Sequence, residues 1–334
     1  MKESFKIKDL FVYRDVWMGI AILWVLMYHA PIYLKNDVYN FIKSLGYGGV
    51  DIFLFASGIG CYFSLNKNNN ILAFIKKRFI RIMPMYFIFT MIWCIYKYFS
   101  SGMTLKAILG NVFCVQYIIN STYSFNWYLC ALWILYILAP YFKQIIDHQN
   151  SRKSKLSLIL CLLIFTIPFF EARYFIIIVT RLPIFVIGMY IAKSGLTGNI
   201  LTKKHLFSSI LLTILGVILQ RICLVHFKDY MWNYGLYWYP FILIVPGLCI
   251  AISLFFSLLQ KCKLRIFEIA LSFVGKNSFE IYLTHIFIFD IYKFLTNHGI
   301  IKKSNLNVII AILCIFPASV ILKYCTKKVT KYIK

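Results

Sequence analysis

Long apolar stretches separated by short basic ones make up nearly the whole chain. They fall at about 16–34, 46–65, 82–100, 124–142, 156–171, 174–192, 206–226, 237–259, 271–291 and 305–322. Several approach or exceed the roughly 18–20 apolar residues that a helix needs to cross a bilayer core. The runs are continuous and too long for the alternating strands of about ten residues that build a membrane β-barrel. The pattern therefore predicts an all-α, polytopic transmembrane helix bundle of about ten spans. A weaker run at 105–119, interrupted by Gly110, Asn111 and Gln116, is short and reads as part of a loop. The first stretch follows Lys2, Lys6 and Lys8, but it is too long for a signal peptide and Tyr28-His29-Ala30-Pro31 is a poor cleavage site.

Composition agrees with this pattern. Of the 334 residues 61% are hydrophobic and only 14% charged, against about 25% charged in an average soluble domain. The net charge of +25 suggests nucleic acid at first sight. A nucleic-acid protein gathers its charge on a soluble face, however, and no soluble domain is evident, so no nucleic-acid partner is expected. The positive-inside rule accounts for the charge better. With ten spans and both termini cytoplasmic, one side holds Lys67, Lys76, Lys77, Arg78 and Arg81, then Lys143, Arg152, Lys153 and Lys155, and the tail from Lys323. The ten cysteines lie in or beside apolar stretches without a CxxC pair, and read as packing residues with no metal site. With neither a linker nor an appended catalytic region, residues 1–334 are expected to form a single membrane-embedded domain, and any chemistry must occur inside it.

Ionisable groups within spans are expensive and point to function. The clearest are His29, in AILWVLMYHAP, with Asp51, Glu280 and His285. The first span places His29 about five residues below its outer end, and the second, running back, places Asp51 at a similar depth. The ninth sets His285 equally high, with Glu280 about a turn and a half deeper. Trp127 and Tyr128 begin the fourth span, so these groups are expected to meet in the outer half of the bundle. Plainer readings stand beside this one. A histidine also hydrogen-bonds across helices, Asp51 behind Gly48 and Gly49 also fits a helix cap, Trp127 and Tyr128 also fit an interfacial belt, and Glu280 also fits a cavity wall.

Several motifs occur in an order that resembles the acyltransferase-3 family of integral membrane O-acyltransferases. DVWMGIAIL at 15–23, leading to Tyr28-His29, is similar to the family's first-helix motif, in which an arginine precedes the catalytic histidine by eleven residues. GVDIFLFASG at 49–58 resembles GVDxFFxxSG, and KRFIRIMPMY at 77–86 resembles RRxxRIxPxY. Trp127-Tyr128-Leu129, Tyr136 with Pro140, RLPIFVIG at 181–188, and Ser278 with Tyr282-Leu283-Thr284-His285 are similar to later elements. One departure is plain: Met18 stands at the family's arginine position, and Arg14 lies one helical turn earlier on the same face.

The resemblance implies acyl transfer in the bacterial plasma membrane. A cytoplasmic acyl-CoA, with acetyl-CoA the expected donor, would acylate a hydroxyl of a cell-surface or lipid-linked glycan. Arg78 and Arg81, with Arg14, are the expected coenzyme-binding residues through phosphate contacts, although any cytoplasmic loop is basic. His29 is the expected base for a weakly nucleophilic alcohol. Asp51 would hold it, as the acid of a hydrolase triad does. Direct transfer and an acyl-histidine intermediate both fit. Trp127, Tyr128, Glu280 and His285 are the expected acceptor-binding residues. No G-x-S-x-G elbow, P-loop or H-E-x-x-H pair supports a serine hydrolase, an ATP-driven pump or a zinc protease. The competing reading is a transporter or translocase of a polysaccharide or lipid-linked sugar, since buried His, Asp and Glu also serve proton relays. No recurrence between the two halves of the chain supports that rival.

Overall fold

The structure is a computed structural model describing residues 6–32, 34–120, 124–125, 127–148, 158–160, 162–163, 173–228, 230–231 and 234–331. The helices named below are α1 (Ile7–Leu10), α2 (Arg14–His29), α3 (Asp37–Ser44), α4 (Gly49–Lys67), α5 (Ile71–Ser101), α6 (Leu105–Val112), α7 (Gln116–Ile119), α8 (Trp127–His148), α9 (Arg173–Val179), α10 (Leu182–Leu196), α11 (Lys203–His226), α12 (Phe241–Lys261), α13 (Ile266–Lys276), α14 (Ser278–Asn297) and α15 (Asn305–Thr330). Among the described residues the only β-type pairing is an isolated bridge between Lys6 and Ile200.

Among the described residues, eight helical stretches are long and apolar enough to cross a membrane: Ile7–His29, Asp37–Lys67, Ile71–Ser101, Trp127–His148, Phe175–Leu196, Lys203–His226, Phe241–Lys261 and Asn305–Thr330. The span expected at 156–171 lies mostly outside the described residues. The span expected at 271–291 is broken at Asn277. That residue leaves the helical conformation at φ −110° and ψ 11°, and its side-chain amide donates to the Phe273 carbonyl at 2.7 Å. Beyond the break, α14 has the length of a span but carries Glu280, His285, Asp290 and Lys293. The run at 105–119 forms the short helices α6 and α7, neither long enough to cross.

Central in the bundle, α4 is buried on nearly every side, with Ile52, Leu54 and Ala56 fully enclosed. Its tightest neighbour is α10, and glycines set that approach. A Cβ on Gly58 would lie 2.1 Å from the Phe185 carbonyl oxygen, and one on Gly188 would lie 2.3 Å from that of Phe55. Gly19 of α2 and Gly275 of α13 form a second reciprocal pair, each against the other helix's backbone. Small residues substitute here for the hydrophobic drive that a bilayer cannot supply between helices. By contrast α11 exposes Phe207, Ile210, Leu211, Ile214 and Ile218, the surface expected of a helix facing lipid.

Candidate active site

The helices α2, α4, α5, α8 and α14 enclose two cavities, one toward each end of the bundle. The first, about 620 Å³, is lined by His29, Trp93, Lys97, Trp127, Arg181, Tyr282 and His285 among others. The second, about 720 Å³, is lined by Arg14, Met18, Ser57, Arg78, Arg81, Tyr128, Tyr136 and Glu280 among others. For brevity they are the histidine cavity and the arginine cavity. Along α2 the fifteen positions from Arg14 to His29 correspond to about 22 Å of helix axis, so that helix alone joins the two. The order in which lining residues follow one another makes α2, α5 and α14 run from the arginine to the histidine cavity, and α4 and α8 run back.

In the histidine cavity the α2 and α14 imidazoles face each other, with ring centroids 5.1 Å apart. His29 is exposed to the cavity, at the last residue of its helix. His285 is fully buried, with Nδ1 3.3 Å from the Ile281 carbonyl oxygen. Its Nε2 has no hydrogen-bond partner among the described residues.

Asp51 points elsewhere. Its carboxylate pairs with the Arg181 guanidinium at 3.4 Å, with both side chains at most 2% exposed. Arg181 also donates to the Ile177 carbonyl at 2.7 Å. Its guanidinium sits between the rings of Trp127 at 4.6 Å and Trp238 at 5.1 Å. Nor is Asp51 a helix cap: α4 starts at Gly49 without a side-chain cap, and Asp51 lies in its first turn. In the wall of the same cavity Lys97 pairs with Asp290 at 3.0 Å.

The arginine cavity is strongly basic, with seven Lys and Arg residues against the carboxylates of Asp15 and Glu280. Arg78 is buried. It donates to the Gly60 carbonyl at 2.8 Å and lies over the rings of Phe74 and Tyr136. The Nε atoms of Arg14 and Arg78 are buried without hydrogen-bond partners among the described residues. Such donors suit an anion. Glu280 is joined to Lys323 of α15 at 3.6 Å. Among the described residues no group of three His, Cys, Asp or Glu side chains is placed to hold a metal.

A family model described as an acyltransferase domain matches residues 12–326. The chain belongs to the acyltransferase-3 family. It is a polytopic membrane acyltransferase of that family. No curated protein and no solved structure matches it.

In this acyltransferase the expected site residues divide between the cavities. His29, His285 and Trp127 meet in the histidine cavity, whereas Arg14, Arg78, Arg81, Tyr128 and Glu280 line the arginine cavity. Tyr128 was expected to meet His29 in the outer half of the bundle, with Glu280 about a turn and a half deeper than His285. The structure turns both toward the other end, because each sits one or two residues past the wall between the cavities. Arg14 and Met18 share the arginine cavity, so Arg14 is far from His29. Arg181 was not among the expected site residues. The signal was available, since it is a cation inside the apolar stretch 174–192.

Proposed function

We propose that this acyltransferase moves an acyl group, acetyl in the first instance, from acyl-CoA to a hydroxyl of a cell-envelope glycan. The donor enters the arginine cavity from the cytoplasm, and the acceptor reaches the histidine cavity from the outer side of a bacterial plasma membrane. About ten spans with both termini cytoplasmic complete the topology. The observation that carries this reading is that one bundle holds both an accessible histidine and, behind it, a cavity rich in cations.

Unpartnered arginine Nε atoms and nearby lysines suit the phosphates of a coenzyme A. Arg14 joins Arg78 and Arg81 in that task, and the cations that share the histidine cavity with His29 are Lys97, Arg181 and Lys293. The aromatic walls of the histidine cavity, Trp93, Trp127, Tyr237 and Trp238, suit the apolar faces of sugar rings. His29 takes the proton of the acceptor hydroxyl as its oxygen attacks the thioester carbon. The carbon–sulfur bond then breaks, and the departing thiolate takes up that proton. Asp51 acts through Arg181, holding that guanidinium in the wall of the cavity.

Mass spectrometry of surface polysaccharide tests the reading in deletion, complemented and His29→Ala cells. Acetyl content is expected to fall in the deletion and stay low with His29→Ala, although the variant protein is present in the membrane. An acetyl content unaffected by deletion would remove the proposal. Glycan export that fails with acetylation otherwise intact would favour a translocase.

A further inference from the structure

The two cavities stand back to back across one pair of rings. Tyr128 of α8 lines the arginine cavity, and Tyr282 of α14 lines the histidine cavity. Their ring centroids are 5.1 Å apart in an edge-to-face contact. Both side chains are buried, and Phe53 of α4 closes the flank of Tyr128 at 6.1 Å.

The wall is thinnest at this pair. Trp127, adjacent to Tyr128, already lines the histidine cavity, and Glu280, two residues before Tyr282, lines the arginine cavity. On α2 the nearest lining residues of the two cavities are Met18 and Val25, about 10 Å apart along the helix. On α5 they are Met85 and Trp93, about 12 Å apart. From Tyr282 the path continues to His285, 5.5 Å away between ring centroids, and then to His29. The shortest route from the basic cavity to the accessible histidine therefore passes through the tyrosine pair.

We propose that the Tyr128–Tyr282 pair is the gate through which the acyl end of the donor reaches His29, and that it selects for short acyl groups. This rests on the reading that acyl-CoA occupies the arginine cavity. A thioester carbon arriving at His29 must part the two rings. A short acyl group clears them once the carbon has arrived. A longer one projects past the thioester into the space of Arg181, His29 and His285, where an alkyl tail displaces polar groups from their partners. Ring bulk sets this limit, and the tyrosine hydroxyls contribute little to it.

The test uses inverted membrane vesicles from the native cells. They carry wild-type protein, Tyr128→Ala, Tyr282→Ala, the milder Tyr128→Leu and Tyr282→Leu, or Tyr282→Phe, each at the chromosomal locus. Acetyl-, butyryl- and hexanoyl-CoA are supplied in turn, release of free coenzyme A thiol is followed, and vesicles from a deletion strain give the background. Immunoblotting records the amount of each variant. Wild-type protein is expected to prefer acetyl-CoA to hexanoyl-CoA. The Ala and Leu variants should narrow that ratio by about tenfold or more, a modest effect for a pocket that discriminates by methylenes. Tyr282→Phe should keep the wild-type ratio.

An unchanged ratio in variants that still turn over acetyl-CoA would overturn the gate while leaving acyl transfer standing. Loss of all turnover in Ala and Leu variants present at wild-type amounts would also overturn it, in favour of a purely structural role. Wild-type vesicles that release no thiol above the deletion background would overturn the acyl-transfer reading, and the gate with it.

Discussion

His29 and His285 stand ring to ring, 5.1 Å between centroids, on helices separated by most of the chain. Their surroundings are unequal. His29 opens to the cavity, while His285 is enclosed with Nδ1 facing the Ile281 carbonyl. A carbonyl only accepts, so Nδ1 carries the hydrogen and Nε2 is left with its lone pair. This divides the pair into a group able to meet substrate and a group that shapes its surroundings.

His29→Ala should therefore lower acyl transfer by about 10²–10⁴, the usual range for removing a general base. His285→Ala should cost less, and His285→Gln should recover part of that loss by restoring a polar group behind His29. Thiol release from acetyl-CoA in vesicles measures all three. Equal losses at the two histidines would contradict the division between them.

The Asp51–Arg181 pair gives a stability prediction. Asp51→Asn leaves the guanidinium buried without its counter-ion, which costs about 3–5 kcal/mol in comparable buried pairs. Removing both charges together, as Asp51→Leu with Arg181→Met, should recover most of that loss. Thermal unfolding in detergent, followed by tryptophan fluorescence, suits the measurement because Trp127 and Trp238 flank Arg181. A double variant no more stable than Asp51→Asn would show that the pair is not the source of the cost.

Particular residues show how far the sequence could be read. Continuous apolar runs revealed the helical bundle because a bilayer demands length and apolarity together. They did not reveal the break at Asn277, where a single side-chain amide takes over a backbone carbonyl inside an otherwise apolar run. Residue type and depth brought His29 and His285 together correctly. The same reasoning gave Asp51 the wrong neighbour, because depth along a helix says nothing of the direction a side chain faces around it. Asp51 faces α10, where Gly58 and Gly188 bring the backbones close and place Arg181 within reach. Glu280 and Tyr282 are two residues apart yet belong to different cavities, a distinction that no hydropathy pattern carries.

The glycine contact between α4 and α10 is itself open to test. A side chain on Gly188 must push against the Phe55 carbonyl, and backbone on both sides leaves no flexible group to yield. Gly188→Leu should destabilise by at least the roughly 1–3 kcal/mol typical of overpacked cores. It should also lower activity, since α4 and α10 hold Asp51 and Arg181. Gly102→Ala makes a contrasting control. Its space is open, and its cost arises only from a backbone φ of 64°. Melting temperature and acetyl-CoA turnover, measured on the same preparations, separate the two effects.

Arg78 and Arg81 share the arginine cavity but differ in burial. Arg78 is buried, braced by the Gly60 carbonyl and two aromatic rings, whereas Arg81 is exposed. A donor held in place in advance loses little freedom when an anion arrives. Arg78→Ala should therefore raise KM for acetyl-CoA by about 10–100-fold, matching roughly 1.5–3 kcal/mol for a hydrogen bond to a charged group. Arg81→Ala should raise it only a few-fold. If both act on bound coenzyme alone, kcat changes little, and the KM contributed by Arg81 rises with ionic strength more than that of Arg78, because exposed charges are screened more. Arg78→Lys should fail to restore wild-type KM, since an ammonium cannot reproduce the planar fork that bonds Gly60 and leaves Nε free for an anion. Initial rates over a range of acetyl-CoA concentrations, at low and high salt, give these parameters. A fall in kcat at unchanged KM would place Arg78 outside the donor site.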